Sequence, residues 1–126
     1  MQYLLDTVTI VRHFAETGKL GRKAQEILNS TENTYVISVI SLMEVLYLSE
    51  KRRIGIDLKE TLNRIEHSSL YSIVDLTPDI LKVANDLIFY ELHDRLILST
   101  AKWLDISIIS GDEKFKQVNG IQVLWD

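Results

Sequence analysis

Residues 34–53 read TYVISVISLMEVLYLSEKRR. Tyr35-Val36-Ile37-Ser38 is a β-branched run that predicts a strand, and Ser41 begins a helix reaching about Arg53. The same order recurs on both sides of this stretch. Upstream, Tyr3-Leu4-Leu5 is a short strand ending at Asp6, followed by helical segments at 7–16 and 21–29 with Gly18 and Gly21 as punctuation. Downstream, Asp57-Leu-Lys-Glu60 has capping-box spacing and opens a helix to about His67. Tyr71 to Leu76 reads as a third strand. Thr77-Pro78, a hydroxyl cap followed by proline, starts the next helix, and Ile80, Ala84, Leu87 and Glu91 fall on one of its faces. Asp94 opens a helix striped by Ile97, Leu98, Ala101 and Leu104. Ile106 to Ile109 is a fourth strand, Phe115 lies in a short turn, and Ile121 to Leu124 closes as a fifth. Strands alternating with helices predict an α/β fold, a three-layer α/β/α sandwich around a parallel, roughly five-stranded sheet.

The chain has 126 residues, 46% apolar and 25% charged, with no repeat or linker, so one domain over 1–126 is expected. Cysteine is absent, which excludes thiolate metal sites and thiol nucleophiles and suits a reducing cytoplasm. The most apolar stretch, Tyr35 to Leu48, is too short to span a bilayer and is broken by Glu44. The N-terminus lacks the positive leader of a signal peptide. A net charge of −4 excludes nucleic-acid binding through a general positive field, although not by a protein whose acids are gathered around metal.

Most of the eighteen acids are solvated helix faces. Four are placed differently. Asp6 is the only charge between Met1 and Val11, and Glu44 the only one between Asn33 and Ser49. Asp94 heads an apolar stripe, and Asp112 follows the fourth strand directly in Ser110-Gly111-Asp112. Each has an ordinary structural reading: the aspartates as helix N-caps, and Ser41-x-x-Glu44 as a capping box. Together they share an address, because three lie at or just after strand carboxyl ends and Glu44 lies one turn into the helix after a strand. That edge is where open parallel sheets bind ligands. Four converging carboxylates raise one another's pKa unless a cation balances them. Oxygen-only ligands suit Mg²⁺ or Mn²⁺, and phosphodiester hydrolysis is the chemistry most often built on such a site.

LLDT at 4–7, ISVISLMEV at 37–45, HDRLILSTA at 93–101 and ISGDEKF at 109–115, in that order, resemble the motifs of PIN-domain nucleases, in particular the VapC-type toxins of type II toxin–antitoxin pairs. The resemblance implies a Mg²⁺- or Mn²⁺-dependent endoribonuclease whose acidic residues fall on Asp6, Glu44, Asp94 and Asp112. It also implies an RNA substrate, a small cognate antitoxin and homodimerisation. Ser110 stands where that family has a small hydroxyl residue, and is otherwise a strand-end turn residue. Glu91 is either an extra ligand or a solvated helix end. Arg95, Lys114 and Lys116 flank the expected site and could meet phosphate, whereas Lys51-Arg52-Arg53 reads as a solvated helix end. His93 stands beside Asp94 but is not needed as a base, and His13 and His67 look unremarkable. Trp103 and Trp125 read as core or subunit-contact residues. Two other functions share the fold: a non-catalytic adaptor, and a phosphoryl-receiver domain with Asp75 as phosphoacceptor.

Overall fold

Successive residues of a strand point to opposite faces, and in the computed structural model, which describes residues 1–126, that alternation divides the core in two. Strand β1 (Gln2–Leu5) sends Tyr3 and Leu5 to one face and Leu4 to the other. In β2 (Thr34–Ser38), Tyr35 and Ile37 oppose Val36; in β4 (Ser107–Ile109), Ile109 opposes Ile108. The first face is covered by α1 (Thr7–Ala15), α2 (Arg22–Leu28) and α4 (Leu58–Glu66), through Ile10, Phe14, Ala24, Ile27 and Ile65. The second is covered by α5 (Pro78–Asp86) and α6 (Leu92–Leu104), through Ala84, Ile97, Leu98 and Ala101. Helix α3 (Val39–Glu50) gives Leu42 to the first cluster and Ile40 to the second. With β3 (Tyr71–Val74) and β5 (Val123–Leu124), the sheet has five strands in the order β3-β2-β1-β4-β5, and every pairing is parallel. This is the expected three-layer α/β/α sandwich.

Two helix starts differ from the sequence reading. Helix α3 begins at Val39, because Ser38 is the residue whose hydroxyl accepts from a backbone amide, that of Ile40 at 3.0 Å. Ser41 is therefore inside the helix and fully buried, and the expected Ser41-x-x-Glu44 capping box does not form. Helix α5 ends at Asp86, and Leu87 turns extended (φ −86°, ψ 130°). Leu87 still enters the core, so its spacing from Ile80 and Ala84 mimics a helical stripe that the backbone does not continue. Helix α6 starts at Leu92 with Glu91, not Asp94, as its N-cap.

Trp125 is half-buried and packs against the first core cluster. A Cβ on Gly21 would collide with the Trp125 carbonyl group, and one on Gly111 would come 2.8 Å from its indole. That carbonyl accepts from the Ala24 amide at the start of α2 (3.0 Å), so the chain end ties two glycines and a helix together. Gly21→Ala must displace backbone rather than a flexible side chain. It is expected to lower stability by about 1–3 kcal/mol, the range for overpacking, read as a reduced midpoint of urea unfolding. An unchanged midpoint would show that this end of the chain is loosely held.

His13 is also more than a polar helix residue. Its Nε2 lies 2.8 Å from the Tyr71 hydroxyl, and its pKa is pushed below the usual 6.5, first by burial and then by Arg64. A histidine with a depressed folded pKa contributes stability that is fully present above pH 6.5 and is lost as pH falls through the folded value. The thermal midpoint should therefore fall as pH drops below about 6.5, and His13→Gln should remove part of that fall. Identical pH profiles for the two proteins would remove His13 from the account.

Candidate active site

In this strand order β1 is central, with β2 on one side and β4 on the other, so chain progression reverses between β1 and β4. The crevice outside the carboxyl ends at such a reversal is where α/β sheets hold ligands. Asp6 follows β1 and the Ser110-Gly111-Asp112 turn follows β4, which puts both at the reversal. Glu44 lies in the second turn of α3 and Asp94 in the first turn of α6.

Asp6 is buried, and both carboxylate oxygens are engaged. Oδ1 accepts from the Thr9 amide at 2.8 Å, which makes Asp6 the N-cap of α1, and Oδ2 accepts from the Ser110 hydroxyl at 2.5 Å. Capping and site membership are thus the same placement rather than alternatives. Burial pushes the Asp6 pKa up, the bonds from Ser110 and Thr9 hold it down, and Asp112 adds a smaller upward push. Ser110 is fully buried and also accepts from the Asp112 amide at 3.1 Å, so one hydroxyl ties the two aspartates together. Asp112 Oδ1 accepts from the Lys114 amide at 2.9 Å, which fixes the turn.

Glu44 is oriented across the α1–α3 contact. Thr7 Oγ1 lies 2.6 Å from Glu44 Oε1 and 3.0 Å from Ser41 Oγ. With one hydroxyl hydrogen, Thr7 gives it to the carboxylate, and its lone pairs take the proton of Ser41. Asp94 is half-buried and has its pKa pushed up to about 6, by burial first and then by Glu91, Glu44, Asp112 and Asp6 in that order. The other four acids thus lie near enough to disfavour its charge. Glu91 accepts from the amides of His93 (3.2 Å) and Asp94 (2.7 Å), so it caps α6 and borders the site at once. No ion pair involves Asp6, Glu44, Asp94 or Asp112.

A pocket of about 380 Å³ opens beside these residues, lined by Glu91, Asp94, Asp112, Tyr90, Lys114 and Gln117 among others. A larger cavity of about 770 Å³ is lined by Arg12, His13, Arg64 and Tyr71 and contains none of the four acids. No three His, Asp or Glu side chains stand close enough to hold an ion without adjustment. The donor set nonetheless fits a hard divalent cation, being all oxygen, uncompensated by any protein cation and partly desolvated. Asp6, Glu44, Asp94 and Asp112 are the residues that could hold it.

The model of the PIN domain family matches residues 3–121. The chain belongs to the PIN domain family. Solved structures share the fold of this PIN domain at low identity. A chain of Rickettsia felis VapBC2, bound to a promoter DNA fragment, is 21% identical with a TM-score of 0.73, covering 100% of both chains. A chain of DNA-bound VapBC from Salmonella typhimurium is 19% identical with a TM-score of 0.72, covering 98% of this chain and 97% of that one. VapC20 from Mycobacterium tuberculosis, a toxin that cleaves the sarcin–ricin loop, is 15% identical with a TM-score of 0.66, covering 91% and 93%. No curated protein matches the sequence.

In this PIN domain several other residues fall away from the crevice. Asp75 is exposed at the end of β3, the outermost strand, with β2 between it and β1. That position removes the basis of a receiver domain, whose phosphoacceptor would have to stand among the other acids. His93 is exposed, with Nδ1 3.8 Å from Glu91. Lys114 lines the pocket, whereas Lys116 pairs with Glu113 at 3.3 Å. Arg95 is half-buried, and its Nε has no hydrogen-bond partner. Trp103 is exposed on α6. The sequence reading missed Thr7, whose hydroxyl orients Glu44, and gave Ser41 a capping role in place of its contact with Thr7. The only signal for Thr7 is its position directly after Asp6. No helix is long and apolar enough to cross a membrane.

Proposed function

We propose that this PIN domain is a divalent-metal-dependent endoribonuclease that hydrolyses RNA phosphodiester bonds and serves as the toxin of a type II toxin–antitoxin pair. The observation that carries the reading is geometric: Asp6 and Asp112 stand at the β1–β4 reversal joined through the Ser110 hydroxyl, and Asp112 shares a pocket wall with Asp94. Asp6, Asp94 and Asp112 are assigned as the main ligands of Mg²⁺ or Mn²⁺, and Glu44 either ligates as well or orients water. When bound, such an ion supplies Lewis acidity that activates water and offsets the charge on phosphate.

The chain's own residues do the rest. Ser110 and Thr9 fix the direction of both Asp6 oxygens, and Thr7 holds Glu44 Oε1, which limits how far these two acids must move to meet an ion. Lys114, exposed at the pocket, offers a cation for an RNA phosphate. The toxin role is supported by fold neighbours from VapBC complexes. Met43, Leu46 and Tyr47, exposed on α3, provide apolar surface for a cognate antitoxin or for a second copy in a homodimer.

The test is cleavage of a mixed panel of structured and single-stranded RNAs by wild type and Asp94→Asn, purified identically, in Mg²⁺, Mn²⁺ or EDTA. Cleavage by wild type alone, lost in EDTA, is the expected result. Equal cleavage by both proteins would overturn the assignment of the site, and none by either would favour a non-catalytic adaptor.

A further inference from the structure

Between α5 and α6 the helix stops at Leu87, which is extended, and residues 87–90 alternate between inward and outward side chains. Leu87 is buried in the second core cluster and Phe89 packs against it, ring edge to ring face with Phe115 at 5.6 Å and 82°. Ile88 and Tyr90 are consequently turned outward, at 96% and 101% exposure, the two most exposed large apolar side chains in the protein. Tyr90 is held from both sides: Phe89 anchors the residue before it, and Glu91 after it is fastened to the α6 amides. Its ring enters no aromatic pair and no cation–π contact. Nothing in folding requires a rigidly presented, wholly solvated ring at this point.

Its location supplies the reason. Tyr90 lines the same 380 Å³ pocket as Asp94 and Asp112, with Lys114 and Gln117 also on its walls. We infer that Tyr90 is the stacking platform for an unpaired nucleobase of the substrate RNA, set beside the acidic cluster so that the base is gripped next to the scissile phosphate. This rests on the ribonuclease reading and adds a base subsite to it.

The chemistry of the surroundings selects the occupant. Protein–protein interface cores are depleted of charge, whereas the walls around Tyr90, apolar at Ile88, Phe89 and Val118, also carry Glu91, Asp94, Asp112 and Lys114. A nucleotide uses such a mixture: a π-face for the ring, a phosphate for Lys114 and edge donors or acceptors for the Gln117 amide. The pocket lies at the low end of the volumes that hold small ligands, about 300–1,000 Å³. Stacking also demands that the base be unpaired, because both faces of a base inside a duplex are covered.

The test uses the full chain with a fluorescein-labelled random-sequence 12-nucleotide RNA, single-stranded or annealed to its complement, titrated by anisotropy in Ca²⁺ to hold off hydrolysis. Tyr90→Ala should weaken single-strand binding by about 5- to 150-fold, the span measured for loss of one base–aromatic stack, and erase the preference for single strand over duplex. Tyr90→Trp should keep the affinity, and RNA should quench its added emission beyond any change in wild type. The side chain is wholly exposed, so both variants should unfold at the wild-type temperature. Unchanged single-strand affinity in Tyr90→Ala would overturn the subsite, as would a sedimentation shift from dimer to monomer, which would make Tyr90 a contact between copies. Hydrolysis of bis(p-nitrophenyl) phosphate by wild type in Mn²⁺ is measured in parallel, since that diester has no base. Its absence, together with no RNA cleavage, would overturn the nuclease reading and the subsite with it.

Discussion

Asp94→Asn should abolish metal-dependent RNA cleavage while leaving the protein at least as stable as wild type. Replacing residues that merely orient metal ligands costs about 10- to 100-fold in activity or affinity, so loss of a ligand itself should cost about a hundredfold or more. The stability half follows from the opposite direction of the same electrostatics. A carboxylate in the first turn of a helix is favoured by the helix dipole, by about 0.3–1 kcal/mol. At Asp94 that benefit is outweighed, because burial and four neighbouring acids push its pKa up to about 6 from 3.8. A raised folded pKa means that the native state holds the proton more tightly than the unfolded chain. The contribution is therefore fully present below about pH 4 and is lost as pH rises through about 6. Asparagine keeps the shape and removes the charge, so its profile should lack this loss. The difference between the two thermal midpoints in EDTA should grow in favour of the variant from pH 4 to pH 7. The group is half-exposed, and solvent screening keeps the gain small. Added Mg²⁺ should then raise the wild-type midpoint by mass action and leave the variant's nearly unchanged. A variant that cleaves RNA at the wild-type rate, or that Mg²⁺ stabilises equally, would remove Asp94 from the site.

The layer order, and the isolated placement of the four candidate acids, were legible because each depends on local pattern. A β-branched run such as Tyr35–Ser38 and a Thr77-Pro78 helix start carry their meaning within a few residues. Asp6 and Glu44 stood out as lone charges in apolar stretches, and isolation of that kind needs no knowledge of the fold. What escaped depends on contacts distant in sequence. Thr7 meets Glu44 across 37 positions and Ser110 meets Asp6 across 104, and no periodicity encodes either bond. The α5–α6 boundary escaped for a different reason. Leu87–Glu91 contains no glycine or proline, and Leu87 remains buried after the helix has ended, so a non-helical segment keeps the apolar spacing of a helix. Once Glu91 is seen to cap α6, Asp94 moves from helix start to first turn, where its side chain is free for the crevice.

Ser110→Ala should be the most damaging single-atom change near the site. The hydroxyl is fully buried, donates to Asp6 Oδ2 and accepts from the Asp112 amide. Its removal leaves a buried carboxylate oxygen without a donor and an amide without an acceptor, while the Thr9 bond to Oδ1 survives. An abandoned partner costs about 1–3 kcal/mol, and more where it is charged, which for a chain of this size is a fall of roughly 5–10 °C in thermal midpoint. The pH dependence identifies the cause. The Ser110 bond is the largest influence holding the Asp6 pKa down against burial, so its loss should raise that pKa further. A protonated Asp6 no longer needs a charge-stabilising donor, so the deficit relative to wild type should be greatest at pH 8 and should shrink as pH falls through the Asp6 pKa. Cleavage should fall about 10- to 100-fold, as for other residues that orient ligands, with part of the loss recovered at higher Mg²⁺. A deficit that stays constant with pH would mean that the serine only fills space. In that case the bridge from Asp6 to Asp112 would not be what holds the two strand ends in register for the reaction.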